Sequence, residues 1–258
     1  MKKLFAIMLA LVLCMSFGAM AQAEEAPFYR IITSADYPPF EFTNSDGTID
    51  GFDIAVIRAI MTSAGLVEGE NFSVSHIDFD FLLAELESGN ADIVIAAMTI
   101  DPERAESVLF SDPYFDACQA ITVAEGSEIT CLADLTGKKI GVQQGTTGDL
   151  VASEIEGATI ERYTKAIEAM MDLQRGVLDA VVTDIAPSRV LAGQLGGLVV
   201  IEDEAFEAEQ YGIVMRLGSE EEMATINAGI AALKESGLFD ELYATYFMTE
   251  TEEEAAAE

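Results

Sequence analysis

The chain has 258 residues, half of them hydrophobic, and carries 46 Asp and Glu against 13 Lys and Arg, for a formal net charge of −33. That length and apolar content suit one large or two medium globular domains rather than a disordered chain. The acidity argues against nucleic acid or an anionic lipid surface as partner, since both reward clustered Lys and Arg. Most of the carboxylates read as a solvated surface that aids solubility.

Met1-Lys2-Lys3, the apolar run from Leu4 to Phe17 and Ala21-Gln22-Ala23 form the three parts of a secretory signal over 1–23, with cleavage expected after Ala23. Cys14 offers a lipid-attachment site as the alternative, less favoured because Leu13 precedes it and apolar residues follow it. No other stretch approaches the roughly 20 apolar residues of a membrane span. An exported protein, in the periplasm or on the extracellular face, is expected.

Arg30-Ile31-Ile32-Thr33 reads as a first strand, and the pattern Ile54, Ile57, Ala59, Ile60, Met61 predicts a helix that stops at Gly65. Asp80 is placed to cap a helix through Phe81, Leu82, Leu83 and Leu86, ended by Gly89; the apolar run from Ala91 to Ala97 then predicts a buried strand. Asp101-Pro102 reads as the cap and first turn of another helix. The second half repeats this grammar, with a helix from Thr164 to Gly176 and a strand over Leu178-Asp179-Ala180-Val181-Val182-Thr183. Alternating strands and helices predict an α/β fold with mainly parallel sheets. Open sheets of this kind place ligands beyond the carboxyl ends of their strands, so Thr99 and Asp184 occupy equivalent, ligand-facing positions in two lobes. Ala120-Ile121-Thr122-Val123 and Gly212-Ile213-Val214-Met215 are candidates for the crossings between lobes. Lobe 1 is assigned to 27–115 plus 212–248, lobe 2 to 116–211, and 249–258 to an unstructured acidic tail.

Several segments then occur in order along the chain: Tyr37-Pro38-Pro39-Phe40-Glu41-Phe42, Gly51-Phe52-Asp53-Ile54, Met98-Thr99-Ile100-Asp101-Pro102-Glu103-Arg104, Phe110-Ser111-Asp112-Pro113-Tyr114, Gly141-Val142-Gln143-Gln144-Gly145-Thr146-Thr147, Leu178 to Asp184, and Tyr211-Gly212-Ile213. Together they resemble the family 3 extracytoplasmic solute-binding proteins, the polar amino-acid receptors of ABC importers. The resemblance covers the chain apart from its signal and tail. It implies a type II periplasmic-binding-protein-like fold: two lobes joined by a two-strand hinge, closing on a free amino acid that is delivered to a membrane permease.

Carried over residue by residue, the resemblance implies that Arg104 grips the ligand α-carboxylate, helped by backbone amides around Thr99 and Thr147. Asp184 accepts the α-ammonium, together with the carbonyl at Ala97. Tyr37 and Phe79 match aromatic positions that flank the ligand side chain, Phe40 is either a further wall or core, and Ser34 and Gln143 match positions that tune specificity. The residue types suit these roles, because Arg presents a planar fork to a carboxylate and Asp accepts several bonds from an ammonium. On the residues alone, Arg104 reads equally as a surface ion-pair partner and Asp184 as a helix cap. A neutral polar ligand is slightly favoured because Ser34 and Gln143 carry no charge, while Asp36 and Glu41 keep a basic one open.

The rival class is an enzyme on the same scaffold, such as a periplasmic cyclohexadienyl dehydratase. His76 is the only histidine, in a strand-like context, and the chain shows no metal cluster, nucleophile motif or phosphate loop. No cofactor and no metal are expected, and the protein is expected to act as a monomer. Cys118 and Cys131 flank the turn at Glu125-Gly126-Ser127; in an exported protein, a strand running out from one and returning toward the other would bring them into a disulfide, the alternative being two thiols.

Overall fold

The computed structural model describes residues 28–248; the secretory segment with Cys14 and the acidic tail 249–258 lie outside the described residues. The chain opens on β1 (Tyr29–Thr33) and a small antiparallel sheet of β2 (Asp36–Tyr37), β3 (Glu41–Thr43) and β4 (Ile49–Asp50). Gly51 turns it into α1 (Phe52–Ser63) with φ 132°, and a Cβ there would lie 2.2 Å from the Phe40 carbonyl oxygen, so only glycine fits. Ile54, Ile57, Ile60 and Met61 of α1 are buried at helical spacing, each contributing about 1.5–3 kcal/mol over exposure.

Next come β5 (Phe72–His76), a 3₁₀ turn at Phe79–Phe81, α2 (Leu82–Glu87), β6 (Ile93–Val94), a 3₁₀ turn at Arg104–Glu106 and β7 (Val108–Phe110). Asp80 does not cap α2; it lies inside the preceding 3₁₀ turn. The helix expected after Asp101-Pro102 shrinks to the turn at Arg104–Glu106, where Asp101 Oδ1 accepts from the backbone N–H groups of Glu103 (2.9 Å) and Arg104 (3.1 Å). Asp101 thus forms a local side-chain turn with no helix to cap.

The long β8 (Phe115–Ala124) leads to β9 (Lys139–Gln143), α3 (Thr147–Ser153), β10 (Thr159–Tyr163), α4 (Ala166–Gln174), β11 (Ala180–Asp184), α5 (Ile185–Leu195) and β12 (Leu198–Ile201). β13 (Ala208–Tyr211), β14 (Val214–Arg216), α6 (Glu220–Ser236) and α7 (Leu238–Phe247) complete the order. None of the described helices is long and apolar enough to cross a membrane.

Two mixed sheets define two lobes. The first has the order β5-β1-β6-β14-β7 and the second β10-β9-β11-β8-β12. In each, three strands run parallel, and beyond them every neighbouring pair is antiparallel, so that β14 and β8 alone run against the rest of their sheets. The inner parallel strands β6 and β11 are buried on both faces, which is why Ala180, Val181 and Val182 form an unbroken apolar run at 0% exposure. The first half of β8 pairs with β13, from Phe115↔Tyr211 to Ala208↔Cys118, and its second half enters the second sheet. The passage between sheets therefore runs along Phe115–Cys118 and Ala208–Tyr211. The segments proposed as crossings, at Ala120–Val123 and Gly212–Met215, lie one step inside the second and first lobes.

The same pairing overturns the disulfide expectation: Cys118 and Cys131 are both free thiols. At Cys118 the strand beside β8 is β13, through Ala208, rather than one returning from the turn at Glu125-Gly126-Ser127. Cys118 Sγ faces the Glu207 carbonyl at 3.6 Å, and Cys131 caps the 3₁₀ turn Leu132–Leu135, whose first amide donates to Asp203 Oδ2 at 2.6 Å.

Candidate functional site

The cleft between the lobes is built from strand ends. One cavity is lined by Ser34, Tyr37, Phe79, Ala97, Thr99, Arg104, Gln143, Thr146, Thr147 and Asp184. The fold thus brings together every residue to which the resemblance assigned a ligand role. Phe40 is not among them. It is 0% exposed and packs edge-on against Phe115 (4.8 Å between centroids) and Tyr211 (5.2 Å), so it belongs to the core.

From lobe 1, the segment after β6 bends sharply at Ala97, whose φ of 45° makes it the only non-glycine residue with positive φ among the described residues. A left-handed alanine costs about 1–2 kcal/mol, and the bend is held by Asp53 Oδ2, which accepts from the Ala97 N–H at 2.7 Å. Thr99 follows, bridged to Tyr211 of β13. Arg104 donates from Nη1 to the Thr99 carbonyl (3.0 Å) and from Nη2 across the cleft to the Gly145 carbonyl (2.9 Å), with its guanidinium 5.8 Å from the Phe79 ring centroid. No carboxylate of the described residues lies within ion-pair distance of Arg104, which removes the surface ion-pair reading. Burial pulls the guanidinium below its usual pKa, against the opposing pull of Asp101, Glu209 and Asp184.

From lobe 2, β9 ends in Gln143 and passes through Gly145 into α3, where the N-cap Thr146 side chain accepts from the Asp149 N–H. Gln143 is 2% exposed; its Nε2 donates to the Thr164 carbonyl at 3.1 Å, whereas Oε1 has no partner. Asp184 ends β11 and stands at the N-cap of α5, yet makes no capping bond with its side chain. Its Oδ2 accepts from the Tyr37 hydroxyl, which reaches across from lobe 1, and its Oδ1 from Gln119 Nε2 at 3.1 Å. Among the described residues no cation pairs with it. Burial first, and the neighbouring Glu209 second, push the Asp184 carboxyl up to about 6.

Sequence reasoning missed Gln119 and Glu209, which tie the site to the crossing strands. Glu209 Oε2 accepts from Thr99 Oγ1 (2.5 Å) and Thr147 Oγ1 (2.8 Å), and Oε1 accepts from Gln119 Nε2 (3.0 Å). In sequence, Glu209 is one acid among many in an acidic chain; only the register of β13 on β8 brings it inward. His76 stands outside the cavity, its Nδ1 accepting from the Ala35 N–H at 2.9 Å.

Two α/β lobes joined by paired strands, with a closed polar cleft at their strand ends, define a binding protein that encloses a small polar solute. The chain belongs to the bacterial extracellular solute-binding proteins, family 3, whose profile matches residues 29–249. It is 35% identical over 253 residues to the probable histidine-binding protein of Neisseria gonorrhoeae, covering 94% of this chain and 92% of that one. Among solved structures, an ancestral arginine-binding protein bound to arginine superposes with a TM-score of 0.81 at 37% identity, covering 87% of this chain and all of the other. An ancestral amino acid-binding protein described as a precursor of cyclohexadienyl dehydratase gives a TM-score of 0.77 at 34% identity, covering 85% and 95%.

Proposed function

We propose that the cleft encloses one free amino acid as its zwitterion and that the protein hands it to the permease of an ABC importer. The observation that carries this reading is a pair of opposite charges facing one cavity from different lobes, neither matched by a counter-ion among the described residues: Arg104 and Asp184. A zwitterion supplies the missing partner to both. Arg104 takes the α-carboxylate with two parallel bonds, assisted by backbone N–H groups at Thr99 and at Thr147, the first residue of α3. Asp184 and the Ala97 carbonyl take the α-ammonium. Tyr37, Phe79, Ser34 and Gln143 face the ligand side chain, and the free Gln143 Oε1 offers it an acceptor.

Relatives named for arginine and histidine make cationic amino acids the first probes. In a thermal-shift screen of the common amino acids against the secreted chain, a ligand at 100 times its dissociation constant adds about 2.7 kcal/mol of stability. No shift with any amino acid would overturn the reading. Binding is expected without turnover, since Arg104 and Asp184 are matched to the two ends of a zwitterion. Incubation with prephenate or arogenate should give no product.

A further inference from the structure

Two carboxyl groups below the cleft are left unexplained by zwitterion binding. Glu41 of β3 and Asp53 in the first turn of α1 are each 0% exposed, and their side chains are hydrogen-bond neighbours. Asp53 Oδ2 accepts from the Ala97 N–H and from the Tyr114 hydroxyl, both at 2.7 Å. Asp53 Oδ1 and both Glu41 oxygens have no donor among the described residues. No Lys, Arg or His of those residues lies within ion-pair distance of either group.

Two touching carboxylates cannot both stay ionised without a cation. One proton removes the repulsion and supplies a donor that Asp53 Oδ1 lacks. We propose that Glu41 and Asp53 share a single proton and act as positioning residues for the ligand cleft. The protonated Glu41 donates to Asp53, and the Asp53 carboxylate clamps the Ala97 amide so that the left-handed Ala97 turns its carbonyl to the ligand.

The proton sits on Glu41 for a physical reason. Asp53 stands at the N-terminus of a 12-residue helix, where the dipole favours an anion, and already accepts two bonds. Glu41 lies in a short strand with neither advantage. The acids that face Glu41 are Asp53 from α1, Asp36 from β2 and Asp184 from β11, and Tyr114 touches Asp53 from the segment before β8. Burial, then Asp53, pushes the Glu41 carboxyl well above its usual range, while burial raises Asp53 to about 7. The Ala97 conformation is the second observation: a strained non-glycine residue persists where its surroundings dictate it, and here the Asp53 bond to its amide does so. No hydrogen bond among the described residues uses the Ala97 carbonyl.

Infrared spectra of the full chain at pH 8 test the proton without any ligand. The parent should show a protonated-carboxyl C=O band that disappears in Glu41→Gln. A parent without the band, or a band that survives this substitution, overturns the proposal. Nuclear magnetic resonance tests the clamp: the Ala97 amide proton should resonate far downfield in the parent and in Glu41→Gln, whose side-chain amide still donates to Asp53, and should move upfield in Asp53→Ala. If that variant does not fold, Asp53→Asn decides, because its amide donates to Glu41 and removes the infrared band; a band that persists overturns the sharing.

The binding arm rests on the amino-acid reading and uses L-arginine in calorimetry. Glu41→Gln should keep affinity within about threefold, and Asp53→Ala should lose about thirtyfold or more, the scale of one lost buried, charge-assisted bond. Equal losses in both variants would overturn the positioning role. A parent that binds neither arginine nor any other amino acid would sink the functional reading and leave the infrared and resonance results to judge the pair.

Discussion

The two strand ends that face the cleft meet the same demand by different means. Beyond β6 the chain is irregular: Ala97 is left-handed, Thr99 leans on β13, and Arg104 rides on a single 3₁₀ turn tied down by Asp101. Beyond β11 the strand passes directly into α5, and Asp184 stands at the helix N-terminus, where the dipole favours negative charge. The cation is thus held by side chains that grip a loop, and the anion by regular secondary structure. The first end should fail when one gripping group is lost, whereas the second should respond mainly to its own charge.

The largest expected effect falls on the irregular end. Arg104→Ala should lower affinity for the amino acid found by screening by about 2–5 kcal/mol, roughly thirtyfold to several-thousandfold, because it leaves the ligand carboxylate unpaired in the cleft. Arg104→Lys should be nearly as damaging, since a point charge lacks the two-pronged fork. Calorimetry on variants shown by circular dichroism to be folded measures both. Binding within a few-fold of the parent would mean that the two ends do not share one ligand.

At the regular end, Asp184→Asn should cost less, about tenfold to a hundredfold, because its amide oxygen still accepts one bond. The loss should nearly vanish for an analogue without the α-amino group. An equal loss for both ligands would place the ammonium elsewhere.

Protonation sharpens the same contrast. With Asp184 at about 6 in the empty cleft, an ammonium ligand needs the ionised form, so binding should release protons near pH 6. Affinity should weaken below it by up to about tenfold per pH unit. Stability has the opposite sense. A carboxyl whose folded pKa lies above the unfolded value of about 3.9 binds more protons in the native state, so the Asp184 contribution to stability is lost as pH rises from about 4 to 6. Asp184→Asn should flatten both profiles, read by calorimetry in two buffers and by thermal melts.

Smaller effects belong to features remote from the charges. Thiol titration of denatured, unreduced protein should find the thiols of Cys118 and Cys131, and a reductant should leave the melting temperature unchanged; a bridge would show as a loss of about 2–4 kcal/mol. The smallest change is expected from the partly exposed pair of Lys165 and Asp36, which joins the lobes at 3.4 Å. Lys165→Ala should shift stability or affinity by less than about 1 kcal/mol.

Phe40 and Phe79 mark the boundary of what a sequence pattern can decide. Both are aromatic residues near cleft motifs, yet Phe79 lies under Arg104 while Phe40 is sealed among Phe52, Phe115, Tyr211 and Phe247. Which one lines the cleft depends on how β2, β3 and α1 pack, and no local pattern encodes that. Asp80 and Asp101 carry the same lesson for caps: Asp101 forms a side-chain turn with the amides of Glu103 and Arg104 but no α-helix follows it, and Asp80 lies inside a 3₁₀ turn, where it accepts from Gln144 Nε2 at 3.3 Å.

Local pattern therefore determined the alternation of strands and helices, the apolar run of β11, and the placing of Asp184 at a strand end, because periodicity and turn chemistry act over a few residues; the strand expected over Ala91–Ala97 is only β6, and Thr99 follows the irregular stretch beyond it. Tertiary structure decided the rest. The register Asp184↔Gln119 puts an amide beside the buried acid, the pairing of β13 with β8 carries Glu209 to both threonines and sets Ala208 rather than a strand from Cys131 beside Cys118, and the entry of α1 sets Asp53 between Glu41 and Ala97. Each of these joins groups far apart in the chain, and a polar group reveals its partner only when burial has removed water as the alternative.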